Sequence, residues 1–341
     1  MRRLPNINTI RFAAFALSSA IALACTNPAN AQTPDLNIRF SWTMPPHTAI
    51  SDDANEIATQ IEKLSNGKIK VLTYPSGSLL TETSTNNGLS NNTVNMALGG
   101  MRWWSSKIPA LDWGTIPFMV NDAKDMVKAL RGPAGTDINA QLNKFGVEMI
   151  GVTFYGYIKS FINTKRAIKS PSDLKGLTLR SEGKLAAMFL QSQGATPVAM
   201  DSSEVYTALQ RGTLDGAMSG VTTFISRKWV EPAKYITAIR YVPQAYLVQV
   251  NKKWWEGLQS SQRKIIREAV AKVEVSAADR IDNDFDVAIA NAKKAGAHVY
   301  VLKGTAREQW KAAAQPMAKK NFLESAGPLG QKLLDDIAKS N

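Results

Sequence analysis

LNIRFSWTMPPHTAISDDANEIATQIEKLSNGKIKVLTY, residues 36–74, changes periodicity twice. Leu36, Ile38, Phe40 and Trp42 alternate with polar residues, the period-2 pattern of a half-buried strand. From Ser51 the apolar positions fall at Ala54, Ile57, Ala58, Ile61 and Leu64, one face of a helix. Ser51 is the expected N-cap, and Asn66-Gly67 the stop. A second strand, KIKVLTY, follows, so the stretch predicts a parallel β-α-β unit and an α/β fold class.

The same grammar recurs downstream. VNMALGG, VEMIGVTFYG, GLTLR, TPVAM, TLDGAMSG and AHVYVL read as strands, and GKLAAMFLQSQG as a helix. In DSSEVYTALQRG, Asp201 and Glu204 suggest a capping box ahead of a helix closed by Gly212. AIRYVPQAYLVQVN reads as strand material crossing back, Ser260 to about Lys294 as one long helix able to span two domains, and the C-terminal segment as two short helical stretches. A chain of 341 residues also predicts two cores rather than one.

Residues 1–31 read as a cleavable secretory signal: a basic MRRLPNINTIR, an apolar FAAFALSSAIALAC shorter than a membrane span, and Ala29 and Ala31 at the −3 and −1 positions of a cleavage site. An uncleaved anchor is one alternative. Lipidation of Cys25 is another, disfavoured by Ala22 at a position that usually holds a larger apolar residue. Cys25 is the only cysteine, so a processed chain has no thiol chemistry, disulfide or cysteine metal site. Losing Arg2, Arg3 and Arg11 lowers the formal charge from +13 to +10, which points to an anionic ligand or partner. The Lys and Arg residues are dispersed, with no basic recognition helix, so nucleic acid is not expected.

Enzyme signatures are missing. The two histidines, His47 and His298, lack metal-ligand spacing, and GAMSG has its serine one place too late for a nucleophile elbow. Asp282, Asp284 and Asp286 begin like a calcium loop, but Lys293 stands where the bidentate acid belongs, so they read as a solvated helix face. No catalytic residue, metal or cofactor is expected. The pocket candidates are aromatic residues near strand ends, Trp42, Trp103, Trp104, Phe154, Tyr157 and Phe224, because open α/β sheets bind ligands beyond the carboxyl ends of their strands. Arg180 ends GLTLR at the same edge, with a planar fork suited to a carboxylate.

From IRFSW onward the chain resembles the solute-binding proteins of tripartite ATP-independent periplasmic (TRAP) transporters, C4-dicarboxylate-binding type. The resemblance is carried by LSNGKIKVLTYPSGSL (64–79), SPSDLKGLTLR (170–180) and GATPVAMDSSEVYTALQRGTLDGAMSG (194–220), in that order and spacing. It implies a two-lobed periplasmic binding fold with hinge strands and a long helix spanning both lobes. Lobe I would comprise residues 32–157 plus 245–284, and lobe II 158–244 plus 285–341. It further implies a non-enzymatic periplasmic receptor that closes on an organic acid and delivers it to membrane permease subunits without itself being membrane-embedded. The family's carboxylate-clamping arginine falls on Arg180. Its other pocket positions fall on Ser219, where an asparagine is usual, on Ser202, Glu82 and Gly100, and near Trp103. Small residues at Gly183, Ser202 and Ser219, with Trp42 and Trp103 nearby, suggest a hydrophobic or aromatic monocarboxylate. A C4-dicarboxylate or keto acid is the alternative, and a periplasmic enzyme acting on carboxylic acids is the reading from another class.

Overall fold

The computed structural model describes residues 34–340, so the expected signal segment and Cys25 lie outside the described residues. The chain runs through β1 Leu36–Ser41, α1 Ala49–Leu64, β2 Ile69–Tyr74, α2 Glu82–Ser90, β3 Met96–Gly100, α3 Ala123–Arg131, α4 Pro133–Asn143 and β4 Val147–Ile158. It continues with β5 Ser160–Asn163, β6 Thr178–Ser181, α5 Lys184–Ser192, β7 Thr196–Ala199, α6 Val205–Gln210, β8 Gly216–Ser219, α7 Val221–Ser226 and β9 Tyr235–Ala238. β10 Val242–Asn251, α8 Lys252–Glu256, α9 Ser260–Lys294, β11 His298–Val301 and α10 Gly304–Ser340 complete it.

The strands form two sheets among the described residues, ordered β2-β1-β3-β10-β4 and β11-β9-β5-β8-β6-β7. β1 and β2 are parallel in the register Leu36 to Ile69, as the opening stretch predicts. Two short crossings join the sheets. Lys159 alone separates β4 from β5, with φ of 75°, a left-handed conformation costly for a residue with a Cβ. Residues 239–241 separate β9 from β10, and the crossings are tied by Ser160, whose Oγ accepts from Ile239 N at 2.9 Å.

The opening helix begins earlier than its sequence suggests. Thr48 is its N-cap residue, and Ser51 is buried within α1, accepting the Trp42 indole N–H at 2.8 Å. Without Ser51 that buried donor would lose its partner. Asp201 and Glu204 form no capping box: the Asp201 carboxylate accepts from Ser203 N and Oγ, and Glu204 is itself the N-cap of α6. The long helix is as expected, its buried positions Ile266, Val270, Val273, Ala277, Ile281 and Ala288 packing on α1, β4 and α7. The C-terminal segment is longer than expected: α10 tolerates Pro316 and breaks only at Gly327, where φ is 60°.

Glu274 of α9 has only 4% of its side chain exposed and joins three elements. It accepts Arg131 Nε and Nη2 at 2.8 and 3.0 Å, and Val152 N at 2.8 Å. Arg131→Met leaves a buried carboxylate with one backbone donor and should destabilise the fold by about 2 kcal/mol, Arg131 itself being partly exposed. A urea unfolding curve with a lowered midpoint and unchanged slope checks this; an unchanged midpoint contradicts it.

Candidate functional site

β6 lies between β7 and β8 with all three strands parallel, so their carboxyl ends share one edge. Leu179 packs into the core, and Arg180, with the opposite orientation in the pleat, is 9% exposed at that edge. Carbonyls from the neighbouring strand ends fix its guanidinium. Nε donates to Met200 O at 3.1 Å and Nη1 to Met218 O at 3.0 Å. Nη1 also donates to Glu182 Oε1 at 2.8 Å. Nη2 makes no hydrogen bond to any described residue, so one arm of the fork is available.

Glu182 sits just beyond the strand and collects several cationic and hydroxyl donors. Besides Arg180 it receives Ser219 Oγ at 3.0 Å, and its second oxygen lies 3.5 Å from Lys159 Nζ. Lys159 also donates to the Glu182 backbone carbonyl at 2.8 Å. Burial holds the Lys159 ammonium below the usual lysine range, although Glu182 pulls the other way. Gly183 then turns the chain into α5 with φ of 87°; a side chain would meet no steric obstacle there, so the backbone angle is what favours glycine.

Lys159, Arg180, Glu182 and Gly183 line a cavity of about 760 Å³ between the two sheets. Arg102, just past β3, and Ile158 come from the first sheet's side; Arg180, Glu182 and Met200 come from the second. Leu185, Phe189 and Met317 add apolar wall, and Asp112, Thr115 and Gln244 polar wall. Burial raises the Asp112 pKa, partly offset by a hydrogen bond from Ser105 Oγ. Among the described residues no cluster of His, Cys, Asp and Glu is placed to hold a metal ion, and no helix is long and apolar enough to cross a membrane.

Of the residues singled out from sequence, Arg180 lies on this wall. Ser219 reaches it through Glu182, and Glu82 through Arg102, whose Nη2 is 3.6 Å away. Gly100 ends β3, where an added Cβ would meet the Trp103 indole at 3.2 Å; Trp103 stands edge-on to Tyr246, and neither residue lines the cavity. Ser202 is half-buried in the loop before α6. Five aromatic residues expected as pocket walls are packed elsewhere. Trp42 is core, against Phe40. Phe224 is fully buried against Trp229. Tyr157 packs on Phe285 and donates its hydroxyl to Asp282 at 2.9 Å. Trp104 and Phe154 are core residues as well. Asp282, Asp284 and Asp286 do lie on a helix, but they pair with Arg240 and Arg280 rather than facing only solvent. Sequence reasoning missed Glu182 and Arg102. Glu182 had a signal, since it stands two residues from Arg180, on the same side of an extended chain.

A profile of the bacterial extracellular solute-binding protein family 7 (DctP) matches residues 40–325. A C4-dicarboxylate-binding periplasmic protein DctP of Rhodobacter capsulatus is 25% identical over 303 residues, 88% of this chain and 90% of its own. Among solved structures, a TRAP periplasmic solute-binding protein from Ochrobactrum anthropi superposes with a TM-score of 0.83 at 23% identity, covering 90% of this chain and 96% of its own. One from Desulfovibrio salexigens with bound orotic acid gives 0.74 at 22% identity, covering 89% and 99%.

The lowered pKa of Lys159 has a definite sign in stability. Because burial lowers its folded-state pKa, the unfolded chain binds more protons as the pH approaches the usual lysine range, so wild type should gain stability with rising pH. The difference in unfolding free energy between wild type and Lys159→Met should therefore shift towards wild type as the pH rises into the lysine range. A difference that is flat with pH, or shifts the other way, contradicts the desolvated ammonium.

Proposed function

Because the chain belongs to the bacterial extracellular solute-binding protein family 7, a family of receptors rather than enzymes, we propose that it captures an organic acid through Arg180 and delivers it to a TRAP-type membrane permease from the periplasm. The observation that carries this reading is the Arg180 guanidinium, held by two strand-end carbonyls on a large inter-sheet cavity with Nη2 unengaged. A ligand carboxylate approaching Nη2 meets a charged donor already oriented, so little ordering is lost on binding.

In this reading residues 32–157 plus 245–284 form one lobe and 158–244 plus 285–341 the other, moving about the crossings at Lys159 and residues 239–241. The open form takes the anion, contacts to both lobes favour the closed form, and expulsion of water strengthens the ion pair. The closed form then docks on the permease with its ligand chemically unchanged. After export the leader of residues 1–31 is removed.

The ligand proposed is a monocarboxylate with an apolar or aromatic body. Its support is the wall of Ile158, Leu185, Phe189, Met200 and Met317, not the tryptophans that suggested it from sequence. The orotic acid carried by the Desulfovibrio salexigens protein is an acid of this flat kind. A C4-dicarboxylate is the second reading, favoured by the additional cations Arg102 and Lys184 on the wall and by the Rhodobacter capsulatus relative.

Calorimetric titration with benzoate, orotate, succinate and glucuronate tests the reading. At least one acid of the first three should bind, and Arg180→Ala should weaken it by about 2–5 kcal/mol, as truncation within a buried charge pair does. Arg180→Lys should also lose affinity, since an ammonium lacks the fork. With both variants folded by their melting curves, unchanged affinity would remove Arg180 from the site. Binding of glucuronate alone would reject the apolar ligand.

A further inference from the structure

We propose that Glu182 determines how many carboxylates the ligand carries, by cancelling one of the two cations at Arg180 and Lys159. The inference rests on the receptor reading above and goes beyond it, to the charge class of the ligand. Arg180 and Lys159 bring two positive charges to one side of the cavity, and Glu182 lies between them at 2.8 and 3.5 Å. Its side chain is 24% exposed, so these pairs are only partly screened by water.

Glu182 is held where it stands. Oε1 accepts from both Arg180 Nη1 and Ser219 Oγ, and Oε2 faces the Lys159 ammonium, so the carboxylate has no reason to swing away. The cluster of Arg180, Lys159 and Glu182 retains one net positive charge, matched by one ligand carboxylate at Arg180 Nη2. A second carboxylate would enter a cavity that already holds Glu182 and Asp112. The further cations offset this weakly: Arg102 is exposed and shared with Glu82, and Lys184 is exposed to solvent. Selection then comes from a repulsive group as much as from an attractive one. Ser219 contributes by fixing the orientation of Glu182.

Glu182→Gln keeps the shape and one acceptor oxygen for Arg180 and Ser219 while removing the charge. Two matched pairs of probes, butanoate with succinate and benzoate with terephthalate, isolate charge from size. Calorimetry on wild type should favour the monoacid in the pair that binds. In Glu182→Gln the diacid should gain at least about tenfold relative to the monoacid. Adding Lys159→Met to Glu182→Gln restores a single positive charge and should return the ratio to the wild-type value. Lys159→Met alone leaves Arg180 neutralised by Glu182 and should weaken the monoacid, which keeps the test available if the glutamine variant folds poorly. A ratio unchanged in Glu182→Gln, or a wild type that prefers the diacid, overturns the charge filter while the receptor reading stands. Failure of every acid to bind wild type overturns both.

Discussion

A guanidinium nine-tenths buried at a strand end must be compensated by neighbouring groups, and much of the site follows from how this chain does so. Arg180 gives Nε and Nη1 to carbonyls of the adjacent strands and shares Nη1 with Glu182. That arrangement fixes the plane of the fork, leaves Nη2 without a hydrogen-bond partner among the described residues and draws Ser219 and Lys159 into one network. The parallel order of β6, β7 and β8 favours it, because their carboxyl ends share one edge and bring Met200 O and Met218 O beside Arg180.

The same network reaches the crossing between the sheets. Lys159 is both the single residue between β4 and β5 and the ammonium facing Glu182, and it holds a left-handed backbone angle. The second crossing is braced differently: Arg240 lies over the rings of Tyr157 and Phe285, and pairs with Asp282 and Asp286 of α9. Tyr157 is committed to this packing. Charge at the site and geometry at the crossing therefore meet in one residue.

Regular elements were legible where a long pattern was free of breakers. α9 shows this best, with apolar residues at helical spacing from Ile266 to Ala292 and no glycine or proline to interrupt them. Boundaries were less legible, because Ser51 is a good cap by type and is instead committed to the Trp42 indole. Trp42 shares the period-2 face of Ile38 and Phe40, so the alternation already placed it in the core; the rule about strand-end aromatics pointed the other way. The place of Arg180 at a strand end was legible from GLTLR. Glu182 was two residues away and overlooked. Phe189 and Met317 reach the cavity from α5 and α10, a convergence that no local spacing encodes.

The most direct measurement is a crystal structure of protein purified without refolding, with any captured small molecule identified by mass. The account predicts a carboxylate of that molecule within hydrogen-bonding distance of Arg180 Nη2, with Glu182 still paired to Nη1 and the two sheets drawn together around it. A ligand seated elsewhere, with Nη2 facing only solvent, would contradict it.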